Sequence, residues 1–184
     1  MSRRNDLLRL LADKSVRTGN FVLASGKSST LYVDARLTTM SPEGLSMIGP
    51  LALETIKDCR WEVDAVGGLT LGADPIACAI SYASAKLNTP VRAFTVRKEP
   101  KSHGTGSLIE GPFRSGDRVL IVEDVITTGS SALKAISAVE AAGGQITGVL
   151  ALVDREEGGR EAISTAGYTI LALVRLKEIL DFRS

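Results

Sequence analysis

Residues 118–136 read RVLIVEDVITTGSSALKAI: an apolar run, two adjacent acids, a short Thr/Gly/Ser loop, then apolar residues at helical spacing. The run 119–122 shows no polar alternation, which is the pattern of a strand buried on both faces. Past Ser130, residues Ala132, Ala135, Ile136 and Val139 share one helical face. A doubly buried strand that passes straight into a helix belongs in a layered α/β chain, where helices cover both faces of a parallel sheet.

The rest of the chain alternates in the same way. Spacing and end signals predict a helix over 5–13, then extended segments at 21–23 and 31–34 joined by SGKSST as a turn. A helix follows over 42 to about 57, with Ser41 as N-cap and Pro42 in its first position. Ala65 and Val66 form a short strand leading into GGLTLGAD, and Asp74 with Pro75 repeats the cap-plus-proline start for a helix over 76–86. Strands are expected at 91–96, 119–122, 146–153 and 169–173. Helices are expected over 132–141, stopped by Gly143 and Gly144, and over 161–166.

Ligands of open α/β sheets sit beyond the carboxyl ends of the strands, so the loop 127–131 carries the first chemical argument. A helix start leaves backbone N–H groups unpaired and bears partial positive charge, and Thr127, Thr128, Ser130 and Ser131 add hydroxyl donors. Gly129 lets the backbone approach an anion closely. No lysine precedes the Ser/Thr pair, which argues against a nucleoside-triphosphate loop, and GxGxxG is absent from the segment. Glu123 and Asp124 beside a phosphate would repel it unless they face another part of the ligand. Ionised carboxylates accept hydrogen bonds and suit the hydroxyls of a ribose 5-phosphate.

Residues 123–131 resemble the phosphoribosyl diphosphate (PRPP) motif of type I phosphoribosyltransferases. FVLASGKSSTLYVDARL at 21–37 and RKEPKSHGTG at 97–106 are similar to the corresponding segments of the orotate phosphoribosyltransferase family. With VDRE at 153–156, matching segments in matching order span nearly the whole chain. The resemblance implies the type I phosphoribosyltransferase fold: α/β, with a central mostly parallel twisted sheet flanked by helices, a small N-terminal hood (mainly 1–40) and a long flexible catalytic loop (about 97–116). It implies PRPP and orotate as small-molecule substrates, Mg²⁺ as cofactor, and phosphoribosyl transfer in pyrimidine synthesis.

The same resemblance assigns residues. PRPP would meet Glu123, Asp124, Val125, Ile126, Thr127, Thr128, Gly129, Ser130 and Ser131, together with Arg97, Lys98, Lys101 and His103. Lys101, His103, Glu123 and Asp124 would carry catalysis, and Thr127 and Arg155 would meet orotate. Mg²⁺ would be held mainly by PRPP, near Asp124, with no protein ligand directly assigned. Arg97, Lys101 and His103 would reach into a neighbouring subunit's site while Lys98 serves its own, which implies a homodimer.

From the residues alone, several readings stay open. The loop 67–74 has no lysine, unlike some family members, so backbone amides and metal would replace that charge there. Asp74 either caps its helix or acts through a cation-bound water. Ala24 stands where some members have lysine, so Lys27 is not assigned to the site. Asp34 and Arg36 are either a pair that stabilises the hood or ligand contacts. Arg155 suits a bidentate grip on a carboxylate, or pairs on the surface with Asp154 or Glu156.

Composition sets limits. A chain of 184 residues, 44% of them hydrophobic, is expected to bury one core as a single domain. With 22 basic against 21 acidic residues there is no global field for nucleic acid. No apolar stretch approaches membrane-spanning length, and the first residues have no signal-peptide pattern, so a cytoplasmic enzyme is expected. Cys59 and Cys78 sit in no metal-binding cluster and read as packed thiols. A purine phosphoribosyltransferase would share the acid pair and phosphate loop, but is not expected to carry FVLASGKSSTLYVDAR with RKEPKSHG. A PRPP-sensing transcription regulator would need a DNA-binding appendage that the residues before Phe21 are too few to supply.

Overall fold

The structure, a computed structural model, describes residues 2–22, 28–99 and 107–183. The elements run α1 (Arg3–Lys14), β1 (Val16–Val22), β2 (Ser28–Val33), α2 (Arg36–Thr39), α3 (Pro42–Asp58), β3 (Ala65–Leu69), α4 (Ala73–Lys86), β4 (Arg92–Val96) and β5 (Ile109–Glu110). They continue with β6 (Arg118–Ile126), α5 (Ser130–Ala141), β7 (Gln145–Asp154), α6 (Gly159–Thr165), β8 (Ile170–Arg175) and α7 (Leu176–Arg183).

Unbroken apolar strands need cover on both sides, and successive residues of β6 and β7 serve opposite faces. Leu120, Val122, Leu150 and Leu152 join one buried cluster with Leu7 and Leu11 of α1, Ile48 of α3, Ile80 of α4 and Ile179 of α7. Val119, Ile121, Val149 and Ala151 join the other, with Ala132, Ile136 and Val139 of α5 and Ile163 of α6. The sheet order is β5-β4-β3-β6-β7-β8. Every neighbouring pair is parallel except β4 with β5. The expected α/β class and mostly parallel sheet are therefore observed. No helix among the described residues is long and apolar enough to cross a membrane.

The order matters for function. From β3 the chain winds outward to β4, and from β6 it winds the other way to β7 and β8, so the winding reverses between β3 and β6. A crevice opens beyond the carboxyl ends of strands at such a reversal. At the opposite ends, Arg118 donates to Asp64 from its backbone N–H (2.9 Å) and from Nε (2.8 Å), pinning β6 beside β3. The same arginine holds the Asp64 carboxyl well below the usual range.

Over the crevice lies the antiparallel pair β1–β2. Leu31 and Val33 pack on the core, and Asp34 N–H donates to the Ser15 carbonyl at 2.8 Å. The two termini are tied by Arg4, which donates to the Leu173 carbonyl (3.0 Å) and bidentately to Glu178 (2.7 and 2.8 Å).

Several expectations are corrected. The first hood strand begins at Val16, and Ser28 to Thr30, expected in a turn, already pair with β1 or extend β2. The strand expected over 119–122 runs on through 123–126, because these residues keep pairing with β7 through Ile126↔Asp154. Helix α4 opens at Ala73 with Gly72 as its cap, so Asp74 is not the cap. The segment expected as one loop over about 97–116 is interrupted by β5, which pairs Ile109 with Val96. Its later part is anchored by Phe113 against Phe94, ring centroids 5.4 Å apart. Cys78 is exposed on α4, not packed. Helix α3 follows its expected start: Gly44 N–H donates to the Ser41 hydroxyl at 3.1 Å.

Candidate active site

The turn from β6 into α5 is built as an anion cradle. Gly129 precedes the helix with φ +80°, no side chain caps the helix start, and no acid lies in its first turn. The first helical N–H groups therefore have no partner inside the helix. Thr127 to Ala132 line a cavity of about 180 Å³ at this point. Neighbouring backbone requires the glycine: a Cβ on Gly129 would stand 2.9 Å from the Gly159 carbonyl oxygen. A Cβ on Gly159 would in turn lie 2.7 Å from the Thr127 carbonyl oxygen, so the loop after β7 braces the cradle.

Glu123 also lines this cavity, only 8% exposed, with Oε2 buried and without a hydrogen-bond partner. Burial, and then the charge of Asp124, push its carboxyl up to about 8. Near neutral pH it keeps a proton, so it can donate one hydrogen bond and accept others. Asp124 is half-buried and accepts from Val125 N–H at 2.9 Å. Burial raises its carboxyl as well, against the backbone N–H groups of Val125 and of Asp124 itself and then the charge of Arg36.

A second cavity, about 360 Å³, adjoins the first through Glu123, Val125, Thr127 and Ser131. The hood contributes Tyr32, Asp34 and Arg36 to it. Tyr32 alternates with the core-facing Leu31 and Val33 and packs on Phe21 at 5.4 Å between ring centroids. The loop after β3 contributes Leu69 to Gly72. A Cβ on Gly72 would lie 2.5 Å from Asp124 Oδ1, so only glycine lets this loop meet the acid pair so closely. Thr70 N–H donates to the Val96 carbonyl at 2.8 Å, and the Thr70–Leu71 peptide is cis. Asp74 accepts from the hydroxyls of Thr70 (2.7 Å) and Thr95 (2.8 Å), clamping the loop to β4 in place of the expected capping role.

Arg155 enters the same cavity from the loop after β7. Its Nη2 forms an ion pair with Glu157 at 2.6 Å, while Nε is buried without a partner. Neither expected surface partner is used: Asp154 accepts instead from Arg160 (3.2 Å) and from Glu156 N–H (2.8 Å).

Of the site residues expected from sequence, Lys98, Glu123, Asp124, Val125, Thr127, Ser131 and Arg155 line the larger cavity. Thr128, Gly129 and Ser130 line the smaller one, as does Ile126, whose side chain is packed in the core. Arg97 lies to the side, 3.6 Å from Glu110 of β5. Lys101, His103 and Lys27 lie outside the described residues. Thr70, Leu71 and Gly72 belong to the loop 67–74 expected at the diphosphate end, whereas Tyr32 joins the site without having been singled out; no local signal marks this hood residue as a neighbour of β6. Among the described residues no group of three or more His, Cys, Asp or Glu could hold a metal ion by itself.

The phosphoribosyl transferase domain model matches residues 40–176. Orotate phosphoribosyltransferase of Aquifex aeolicus is 48% identical over 98% of this chain and 99% of its own. Among solved structures, Mycobacterium tuberculosis orotate phosphoribosyltransferase in complex with PRPP superposes with a TM-score of 0.82 at 40% identity, covering 97% of this chain and 99% of that one. The same protein in complex with inorganic phosphate gives 0.84 at 42% identity, covering 96% and 98%. Unpaired amides at the start of α5, an adjoining acid pair and a hood over the crevice thus accompany similarity along nearly the whole chain, and the chain belongs to the orotate phosphoribosyltransferase family of phosphoribosyl transferases.

Proposed function

We propose that this protein transfers the 5-phosphoribosyl group of PRPP to orotate, giving orotidine 5′-monophosphate and diphosphate in pyrimidine synthesis. The observation that carries this reading is the shared wall of the two cavities. Unpaired amides at the start of α5 suit the 5-phosphate, and Glu123 and Asp124 at the seam suit the ribose hydroxyls. Arg155, which lines the larger cavity with its Nε buried and without a partner, suits the orotate carboxylate. Thr127 lies within the same wall.

In the reaction the ring nitrogen of orotate, already deprotonated, attacks C1 of the ribose while the C1–O bond to diphosphate breaks and its electron pair leaves with the diphosphate. Positive charge builds on the sugar and negative charge on the leaving group. Asp124 stabilises the former from beside the ring, and cations over the diphosphate stabilise the latter. From family resemblance, Lys101 and His103 supply part of that charge, with Arg97, Lys101 and His103 offered across a homodimer and Lys98 within its own subunit.

The residues also fit Mg²⁺. A half-buried carboxylate faces the crevice, yet no protein cluster completes a cation site, so the ion would be held mainly by diphosphate and ribose oxygens near Asp124. When bound, it supplies Lewis-acid charge to the leaving diphosphate. We place the activity in the cytoplasm, as expected for this pathway.

The test follows orotate absorbance with PRPP and Mg²⁺ for the parent, Lys101→Ala and Asp124→Asn. The first variant is expected to lose mainly turnover and the second to handle PRPP poorly. Absence of orotate-dependent diphosphate release in the parent would overturn the reading.

A further inference from the structure

We propose that Arg36 supplies the positive charge for the diphosphate end of PRPP that the loop after β3 lacks. The proposal rests on the phosphoribosyl-transfer reading above and deepens it.

The need is electrostatic. The loop 69–72 offers no cation, and no lysine or arginine lies between Arg60 and Lys86. The crevice meanwhile contains Asp34, Glu123 and Asp124. A diphosphate entering there meets carboxylates, and cations within a few ångströms must offset them. Among the described residues lining the larger cavity, the cations are Arg36, Lys98 and Arg155.

Their placement separates their roles. Arg155 comes from the loop after β7 and is already bound to Glu157 at 2.6 Å. Lys98 follows β4 and is exposed. Arg36 comes down from the hood at the start of α2 into the cavity that Asp124 also lines. Asp124 itself abuts the loop after β3, since a Cβ on Gly72 would fall 2.5 Å from its Oδ1. Arg36 therefore shares one cavity with the junction of the acid pair and the loop after β3.

The guanidinium is also oriented in advance. Asp34 accepts from Arg36 Nε at 2.8 Å, from Nη2 at 3.0 Å and from its backbone N–H at 3.2 Å. This fork-to-fork grip fixes the guanidinium plane and leaves Nη1 outside the pair. A side chain held in this way has little rotamer freedom left to lose when an anion arrives. Asp34 is then a positioning residue, and the hood pair left open by the sequence has a use beyond holding the hood.

Calorimetric titration of PRPP, and separately of diphosphate, into the full chain with Mg²⁺ tests this for the parent, Arg36→Ala, Arg36→Lys and Asp34→Asn. Steady-state KM for orotate and melting temperatures are measured alongside. Arg36→Ala is expected to weaken PRPP and diphosphate by roughly tenfold or more, the size of a lost charge-assisted contact. Arg36→Lys should recover part of the loss, because the charge returns without the fork. Asp34→Asn should weaken both ligands less than Arg36→Ala, and KM for orotate should stay within about twofold in every variant. Unchanged PRPP and diphosphate affinity in a folded Arg36→Ala protein, or a loss in Arg36→Lys as large as that in Arg36→Ala, overturns the proposal. A loss confined to orotate also overturns it, by placing Arg36 at the acceptor. A parent protein that binds no PRPP would defeat the functional reading itself, and so is distinguishable from either result.

Discussion

Gly129→Ala inserts a methyl group where the backbones of two loops already meet. At φ +80° the residue occupies the left-handed region, which costs alanine about 1–2 kcal/mol. The added Cβ would also lie 2.9 Å from the Gly159 carbonyl oxygen and 3.2 Å from Ile163 Cγ1. The closer atom is main chain, so the loops must part by a few tenths of an ångström, and overpacking of this kind costs about 1–3 kcal/mol. The sum, roughly 2–5 kcal/mol, should lower the melting temperature of a chain this size by about 5–15 °C. Gly158→Ala is the control: its φ is +93° but a Cβ there meets nothing within 4 Å. It should show the backbone cost alone, about 2–8 °C. Opening the cradle also moves the α5 amides, so Gly129→Ala should lose PRPP affinity about tenfold or more while Gly158→Ala keeps it. Calorimetric melting and PRPP titration on both variants decide the matter. Equal melting losses, or full PRPP affinity in Gly129→Ala, would refute the reasoning.

Further outcomes follow from the carboxylate and the arginine that line the crevice. Glu123 keeps its proton up to about pH 8, whereas the unfolded chain releases it near the ordinary 4.5. The folded state therefore binds more protons between those values, and this residue's contribution to stability declines as pH rises through that window. Glu123→Gln removes the decline, so its melting temperature should gain on the parent from about pH 5 to about pH 8, and a difference that stays flat with pH would count against the buried acid. Arg155→Ala should raise KM for orotate roughly tenfold or more and leave PRPP affinity in place; a defect seen only in PRPP binding would remove Arg155 from the acceptor side.

Much of this arrangement is legible before folding because it is local. Strand β6, the acid pair, the glycine turn and the start of α5 lie in one continuous stretch, and the apolar pattern alone reports burial on both faces. The Gly143–Gly144 stop is equally local: Gly143 has φ +85°, and Gly144 N–H donates to the Val139 carbonyl at 2.9 Å. What escapes is set by distance along the chain or by competition for a side chain. Asp74 before a helix has the look of a cap, but the hydroxyls of Thr70 and Thr95 claim its carboxylate, and Thr95 becomes a neighbour only when β4 pairs with β3. Strand β5 has two residues and α2 has four, too short for any periodicity to register. Tyr32 and Arg36 reach Asp124's cavity only through the hood's docking across the sheet, a contact that no spacing rule encodes.

The most direct measurement is a crystal structure with PRPP and Mg²⁺ bound. The account predicts the 5-phosphate against the main-chain amides that open α5, the ribose hydroxyls at Glu123 and Asp124, and the diphosphate between the loop after β3 and Arg36. Density for PRPP elsewhere on the molecule, with that crevice filled only by water, would contradict it.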